Sequence, residues 1–302
     1  MFVDTDYLVG NLETPLGVSN FTNNKWLFCT PGIMAKVLSE FGFNLLTLAN
    51  NHILDRGIEG LATTISILEK HKIDYIGSSK TAQRENAYKI AAIGVFKVAF
   101  LNYTYGTNAH FNGNVLKEDE EYKVNLLCPQ EGQNPSRKCI LRRAISKGLR
   151  LLGSQLGEER FDVNSKYAKQ VIQDITNVKK AGATHIVACI HSGGQFNDGP
   201  ERWTRTLMRW LVDNGVDVVI GTHPHVIHPI EKYKDGYIAY SLGDFTSTPY
   251  CDGTPIELAK KNGAGIGQII HLDFDPLGKI SLKEVRVRSI EGSDNISRVN
   301  PF

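Results

Sequence analysis

The chain has 302 residues, enough for one large α/β domain or two smaller ones, either able to bury a full core without staples. Its 41% hydrophobic and 22% charged residues exclude a disordered or fibrous protein. With 34 basic against 32 acidic side chains and no run of one sign, nucleic acid is excluded as an expected partner, and no stretch nears the roughly 20 apolar residues of a membrane helix.

Met1 opens onto Phe-Val-Asp-Thr-Asp, not onto a basic-then-apolar leader, so the chain as written is expected in the cytoplasm. Asp6 to Gly10 is a short apolar run ending at glycine, the pattern of a buried strand that delivers Asn11-Leu12-Glu13 at its C-terminal end. Pro31 followed by apolar residues at helical spacing to Phe41 predicts a helix, and Asn44 to Ala49 predicts the next buried strand. A polar loop, Asn50 to Gly57, then leads into an amphipathic helix over Gly60 to His71 with Leu61, Ile65 and Leu68 on one face. Asp74 to Gly77 reads as a strand, and Tyr88 to Ile93 with Lys97 to Tyr103 as a hairpin turning at Gly94.

From about Gly106 to Asp162 the rhythm breaks into polar sequence, read as an insertion over one face within a single domain spanning 1–302. Its basic helical piece, Lys138 to Leu152, reads as a solvated face, with a cationic wall for an acidic substrate as the alternative. Alternation resumes with helix Ser165 to Ala181, strand His185 to Ile190, helix Arg202 to Asn214, and strands Val216 to Ile220 and Tyr237 to Leu242. A hairpin over Gly267 to Phe274 and Ile280 to Val287 closes the pattern. Five scattered cysteines (Cys29, Cys128, Cys139, Cys189, Cys251) without a CxxC pair are expected as reduced thiols.

Four strand-to-loop junctions carry metal-competent side chains: Glu13, Asn51-His52 with Asp55, His191, and His223-Pro224-His225. Carboxylate, amide oxygen and imidazole together suit a divalent cation, and strand ends hold such groups on rigid backbone. A lone histidine is ordinarily a hydrogen-bonded one, but clustering at strand ends sets these apart from His71 and His110.

The segments Asp6 to Pro15 (DYLVGNLETP), Ala49 to Gly57 (ANNHILDRG), His191 in HSGGQF, Gly221 to Pro229 (GTHPHVIHP) and Tyr240 to Phe245 (YSLGDF) resemble, in order, the motifs of the CapA family. Members of that family are associated with capsule or poly-γ-glutamate synthesis, and the family is similar to calcineurin-like metallophosphatases. The resemblance implies an α/β (α+β) fold, a four-layer αββα sandwich with mixed sheets. It also implies a divalent metal (Mn, Fe, Zn or Mg) and, as substrate, an anionic polymer or phosphoester, with capsule synthase components as partners. Carried across, Glu13 bridges two metals, Asn51, His191 and His223 hold one, His225 reaches the other, and His52, oriented by Asp55, is the general acid.

This sequence departs from the family pattern in several places. The opening strand, ending in a Gly-Asp motif, is expected tens of residues before Asp6, where only five residues stand. Either that strand lies upstream or the protein works with one metal or none. An upstream segment would also allow an anchor in the cell envelope. Ser192, Gln195 and Asp244 stand where the family usually has Trp, Glu and Asn, which bears on substrate more than on metal. Three functions follow as expectations: a metal-dependent hydrolase of a phosphoester or γ-glutamyl amide, a non-catalytic capsule-polymer binding or assembly component, or metal-assisted proton abstraction with His52 as base.

Overall fold

Leu8–Asn11 (β1), Phe43–Thr47 (β4) and Asp74–Ile76 (β5) lie side by side in the order β1-β4-β5, all parallel, in a computed structural model that describes residues 5–18, 27–130, 161–246, 265–291 and 297–301. Between them come Leu16–Gly17 (β2), paired with Thr30–Pro31 (β3), then the helices Ile33–Glu40 (α1) and Gly57–Lys70 (α2). Register places Asn11 beside Thr47 and Thr47 beside Ile76, so the loops after all three strands leave one edge of the sheet. α2 buries Leu61, Ile65 and Leu68, the face its periodicity predicts, and begins at Gly57, one turn earlier than expected.

The chain forms two compact units, residues 2–89 with 101–174, and residues 90–100 with 175–302. Tyr88–Ile93 (β6) and Phe96–Thr104 (β7) follow the first sheet, then a short helix Ala109–Asn112 (α3) and a 3-10 turn at Glu118–Lys123. The predicted insertion is woven into the first unit where it is described. Leu116, Val124 and Leu126 join its buried cluster, and the bridges Ser78–Val124 and Thr104–Leu126 tie it to neighbouring strands. The basic piece Lys138 to Leu152, with Cys139 and Cys251, lies outside the described residues; Cys29, Cys128 and Cys189 are not joined in disulfides.

The helix Lys166–Lys180 (α4), His185–His191 (β8), the helix Arg202–Asp213 (α5), Val218–Thr222 (β9), Ile230–Tyr233 (β10) and Gly236–Ala239 (β11) complete a six-stranded mixed sheet of order β10-β11-β9-β8-β7-β6, built chiefly in the second unit. β8, β9 and β11 are parallel neighbours, and β10 turns back antiparallel at the edge. β8 is an almost continuous buried run, as expected of a strand covered on both faces. α5 buries Thr204, Leu207, Met208 and Leu211, a stripe at i, i+3, i+4 and i+7. Ile266–Phe274 (β12) and Ile280–Glu291 (β13) form the predicted hairpin around Asp275 to Gly278, with Ser297–Pro301 (β14) added beside β13. Among the described residues, no helix is long and apolar enough to cross a membrane.

Candidate active site

In the first unit, the loops after β1 and β4 are laced together by amide side chains. Thr47 Oγ1 donates to Asn11 Oδ1 at 3.3 Å, Asn50 Nδ2 donates to the Leu12 carbonyl at 2.8 Å, and the His52 amide donates to Asn50 Oδ1 at 3.1 Å. Asn11 Nδ2 reaches Glu13 Oε2 at 3.2 Å, holding the carboxylate beside the strand end that presents it. One turn deeper, Asn102 accepts from the Ala49 amide at 2.7 Å and donates back to the Ala49 carbonyl at 3.4 Å, which fixes the backbone just before Asn50-Asn51. Asn50 and Asn51 are buried, and such polar groups persist in a core only when their hydrogen bonds are made.

His52 Nδ1 lies 2.7 Å from Asp55 Oδ2, with side-chain exposures of 7% and 0%. The same carboxylate accepts the Phe28 amide at 2.8 Å and Asn112 Nδ2 at 3.3 Å. Phe28 lays its ring over the imidazole, 3.9 Å between centroids and 13° between planes. An imidazole that gives its Nδ1 proton to a carboxylate exposes Nε2 for proton transfer, the arrangement of a general acid or base with an orienting partner. His52 and Asp55, paired in the sequence expectation, are thus in direct hydrogen-bond contact.

The second unit gathers three imidazoles. His191 ends β8, in register with Thr222, and its Nδ1 lies 2.9 Å from Thr222 Oγ1. His223 and His225 follow β9, with His223 4.9 Å from His191 and 6.0 Å from His225 between ring centroids. A ring nitrogen of His223 and one of His225 come within 4.8 Å of each other. His225 Nδ1 is 2.8 Å from Asp244 Oδ1, and Phe196 packs 5.7 Å from the same ring. His223 and His225 hold φ of +101° and +59°, left-handed backbone that costs non-glycine residues about 1–3 kcal/mol each. Such strain collects where a side chain must point in one direction for a ligand.

Thus Glu13, Asn51, His52 and Asp55 sit at one strand edge of the first unit, and His191, His223 and His225 at one strand edge of the second. Sequence reading missed the supporting groups. Thr222 has a faint signal, standing beside His223 at a strand end, and Asp244 showed only as a departure from the family. Phe28 and Asn112 have none, because they reach Asp55 across 27 and 57 residues of chain.

The capsule biosynthesis protein CapA of Bacillus anthracis is 26% identical over 247 residues, covering 80% of this chain and 50% of that protein. The PGA biosynthesis protein CapA of Bacillus subtilis is 26% identical over 306 residues, covering 94% of this chain and 67% of that protein. The chain thus spans about half to two thirds of the length of these relatives. Among solved structures, a putative 5'-nucleotidase of Staphylococcus aureus overlaps with a TM-score of 0.46 at 13% identity, over 89% of this chain and 39% of that one. The model of the bacterial capsule synthesis protein family PGA_cap matches residues 1–249, and this chain belongs to that family.

Proposed function

We propose that this member of the capsule synthesis family is a metal-dependent hydrolase acting on a phosphoester or a γ-glutamyl amide. In this reading Glu13 and Asn51 of the first unit, and His191, His223 and His225 of the second, are metal ligands (for Mn, Fe, Zn or Mg), and His52 is the proton donor. The observation that carries it is the anchoring of His191 by Thr222 and of His225 by Asp244, both through Nδ1. Imidazoles held this way present Nε2 to a metal, and the outer partner sets both tautomer and ring direction. The donor chemistry fits a first-row divalent ion.

A divalent cation bound there supplies Lewis-acid polarisation of a phosphoryl or acyl oxygen. The chain's own part is proton management. His52 Nε2 gives a proton to the leaving oxygen or nitrogen, while Asp55, fixed by the Phe28 amide and Asn112, keeps the ring in the competent tautomer and stabilises it when charged. Removing a general acid of this kind lowers turnover by roughly 10²–10⁴-fold.

The test pairs metal content with turnover. Purified protein given Mn²⁺ is expected to hydrolyse a generic phosphodiester or a γ-glutamyl anilide, His52→Ala to lose that turnover while retaining metal, and His223→Ala to lose metal. Unchanged metal content in His223→Ala sinks the ligand assignment. A second reading, a polymer-binding component without turnover, draws on the names of the two Bacillus relatives, which concern biosynthesis and not breakdown. Metal-replete protein that is inert toward both substrate classes selects it.

A further inference from the structure

Phe28 lies outside every motif of the sequence reading, yet its backbone and its ring both act on the pair formed by His52 and Asp55. The amide donates to Asp55 Oδ2 at 2.8 Å, the same oxygen that stands 2.7 Å from His52 Nδ1. The ring lies against the imidazole, 3.9 Å between centroids and 13° between planes, a face-to-face contact. Asn112 Nδ2 reaches the other carboxylate oxygen, Oδ1, at 3.3 Å. An ionised carboxylate only accepts, so its bond to His52 is donated by Nδ1–H, and Nε2 is the ring atom left for chemistry.

The stem that carries Phe28 is tied to the segment after Glu13. β3 pairs in parallel with β2, the Thr30 amide donates to the Pro15 carbonyl at 2.9 Å, and the hydroxyl oxygens of Thr14 and Thr30 lie 3.0 Å apart. Leu16 is anchored in turn, its amide donating to Thr64 Oγ1 of α2 at 2.9 Å. α2 begins at Gly57, just past Asp55, so the ring of Phe28 and the carboxylate beside it are both fixed to one helix. The Thr-Pro-Leu-Gly stretch after Glu13 therefore has a use beyond presenting that carboxylate.

A hydrogen bond at Nδ1 holds one edge of an imidazole and does little against tilt of its plane, because χ2 of histidine is a broad torsion. A flat ring in van der Waals contact restrains that tilt. It also takes the solvent-facing position: as whole residues His52 is 5% exposed and Phe28 39%. Phenylalanine brings no polar atom to compete for Asp55 or for Nε2. We propose that Phe28 is a positioning residue for His52, its ring setting the plane of the imidazole and its amide setting Asp55, so that Nε2 is held in one direction before substrate arrives. The role of His52 as proton donor rests on the hydrolase reading; the immobilised ring does not.

Three substitutions separate the roles. Phe28→Ala removes the ring and keeps the amide, Phe28→Leu keeps apolar bulk without a flat face, and Phe28→Tyr keeps the face. The His52 Nδ1–H proton is read by NMR of the full chain in Mg²⁺ buffer and assigned by its absence in His52→Ala. Its exchange with water is expected to match wild type in Phe28→Tyr and to quicken by roughly two- to tenfold in Phe28→Ala and Phe28→Leu, the worth of a stacked aromatic pair. With Mn²⁺ and a generic phosphodiester, the same two variants are expected to lose roughly 10–100-fold in kcat, the effect of a misplaced group, with KM near the wild-type value. Should Phe28→Ala fail to fold, Phe28→Leu carries the comparison. Exchange unchanged in both variants overturns the proposal, as does an equal change in Phe28→Tyr. A rise in KM with kcat unchanged also overturns it, by placing Phe28 against substrate instead of His52. Exchange that responds as expected in a protein that hydrolyses nothing keeps the positioning and removes the hydrolase reading. Turnover in wild-type protein, with exchange indifferent to Phe28, does the reverse.

Discussion

At the scale of single residues, the partners of the ring nitrogens carry more information than the rings. Asp244 sets a carboxylate oxygen 2.8 Å from His225 Nδ1. Asp244→Ala leaves His225 with the same atoms to offer and no fixed direction in which to offer them. Affinity for Mn²⁺, read by calorimetry, is expected to fall roughly 10–100-fold, the usual effect of removing an outer-shell partner. His228 behaves differently. Burial pushes its pKa below the usual 6.5, against the hydrogen bond from Nε2 to the Asn197 carbonyl and the charge of Glu201, which raise it. A histidine held neutral in the fold contributes fully above the unfolded value and loses that contribution as pH falls below it. Urea unfolding at pH 7.5 and 5.5 should therefore show wild-type stability declining by at most about 1.4 kcal/mol per pH unit on this account. His228→Gln flattens that slope; an identical slope in the variant assigns the decline to other groups.

At the scale of elements, the parallel strands do the positioning, and one close tolerance is at the end of β5. Gly77 has φ +89°, and a Cβ there would sit 2.1 Å from Asn102 Oδ1 and 2.8 Å from both the Ala49 amide nitrogen and its Cβ. The clash falls on the bond pair that fixes the loop carrying Asn50 to His52. Gly77→Ala is expected to cost more than about 2 kcal/mol in urea unfolding, through left-handed strain and a displaced buried amide together. Asn102→Ala, which removes the clash partner, also strands the Ala49 backbone groups and costs about 1–3 kcal/mol. If Gly77→Ala is neutral, the loop is not held as described.

This element scale is also where the sequence was most legible. β8 and β9 announce themselves as apolar runs because a strand buried on both faces has few polar positions to confuse the pattern, and β1 and β4 show shorter runs although β1 is only half-buried and β4 exposes Asn44. β10, Ile-Glu-Lys-Tyr at the sheet edge, has none of that signature, since an edge strand meets solvent and carries charge. The site shows the same division. His52, Asp55 and the three clustered imidazoles lie in short contiguous motifs, whereas Phe28, Asn112 and Asn102 act through tertiary contacts that no local spacing encodes.

For the molecule as a whole, the proposed metal must also appear as stability, because ligands that bind only in the folded state shift unfolding by mass action. A cation at 100 times its Kd adds about 2.7 kcal/mol. For a chain of this size each kcal/mol moves Tm by roughly 2–4 °C, so saturation with Mn²⁺ after chelation should raise Tm by about 5–10 °C. The rise should scale with the logarithm of free cation and vanish in His223→Ala. His52→Ala should keep it, because His52 is assigned a proton and not the metal. A rise of equal size in His223→Ala places the cation elsewhere on the chain. No rise in wild-type protein, in a solution where calorimetry shows the metal bound, means the unfolded chain binds it as well as the fold does. That result would remove the preorganised geometry on which the hydrolase reading stands.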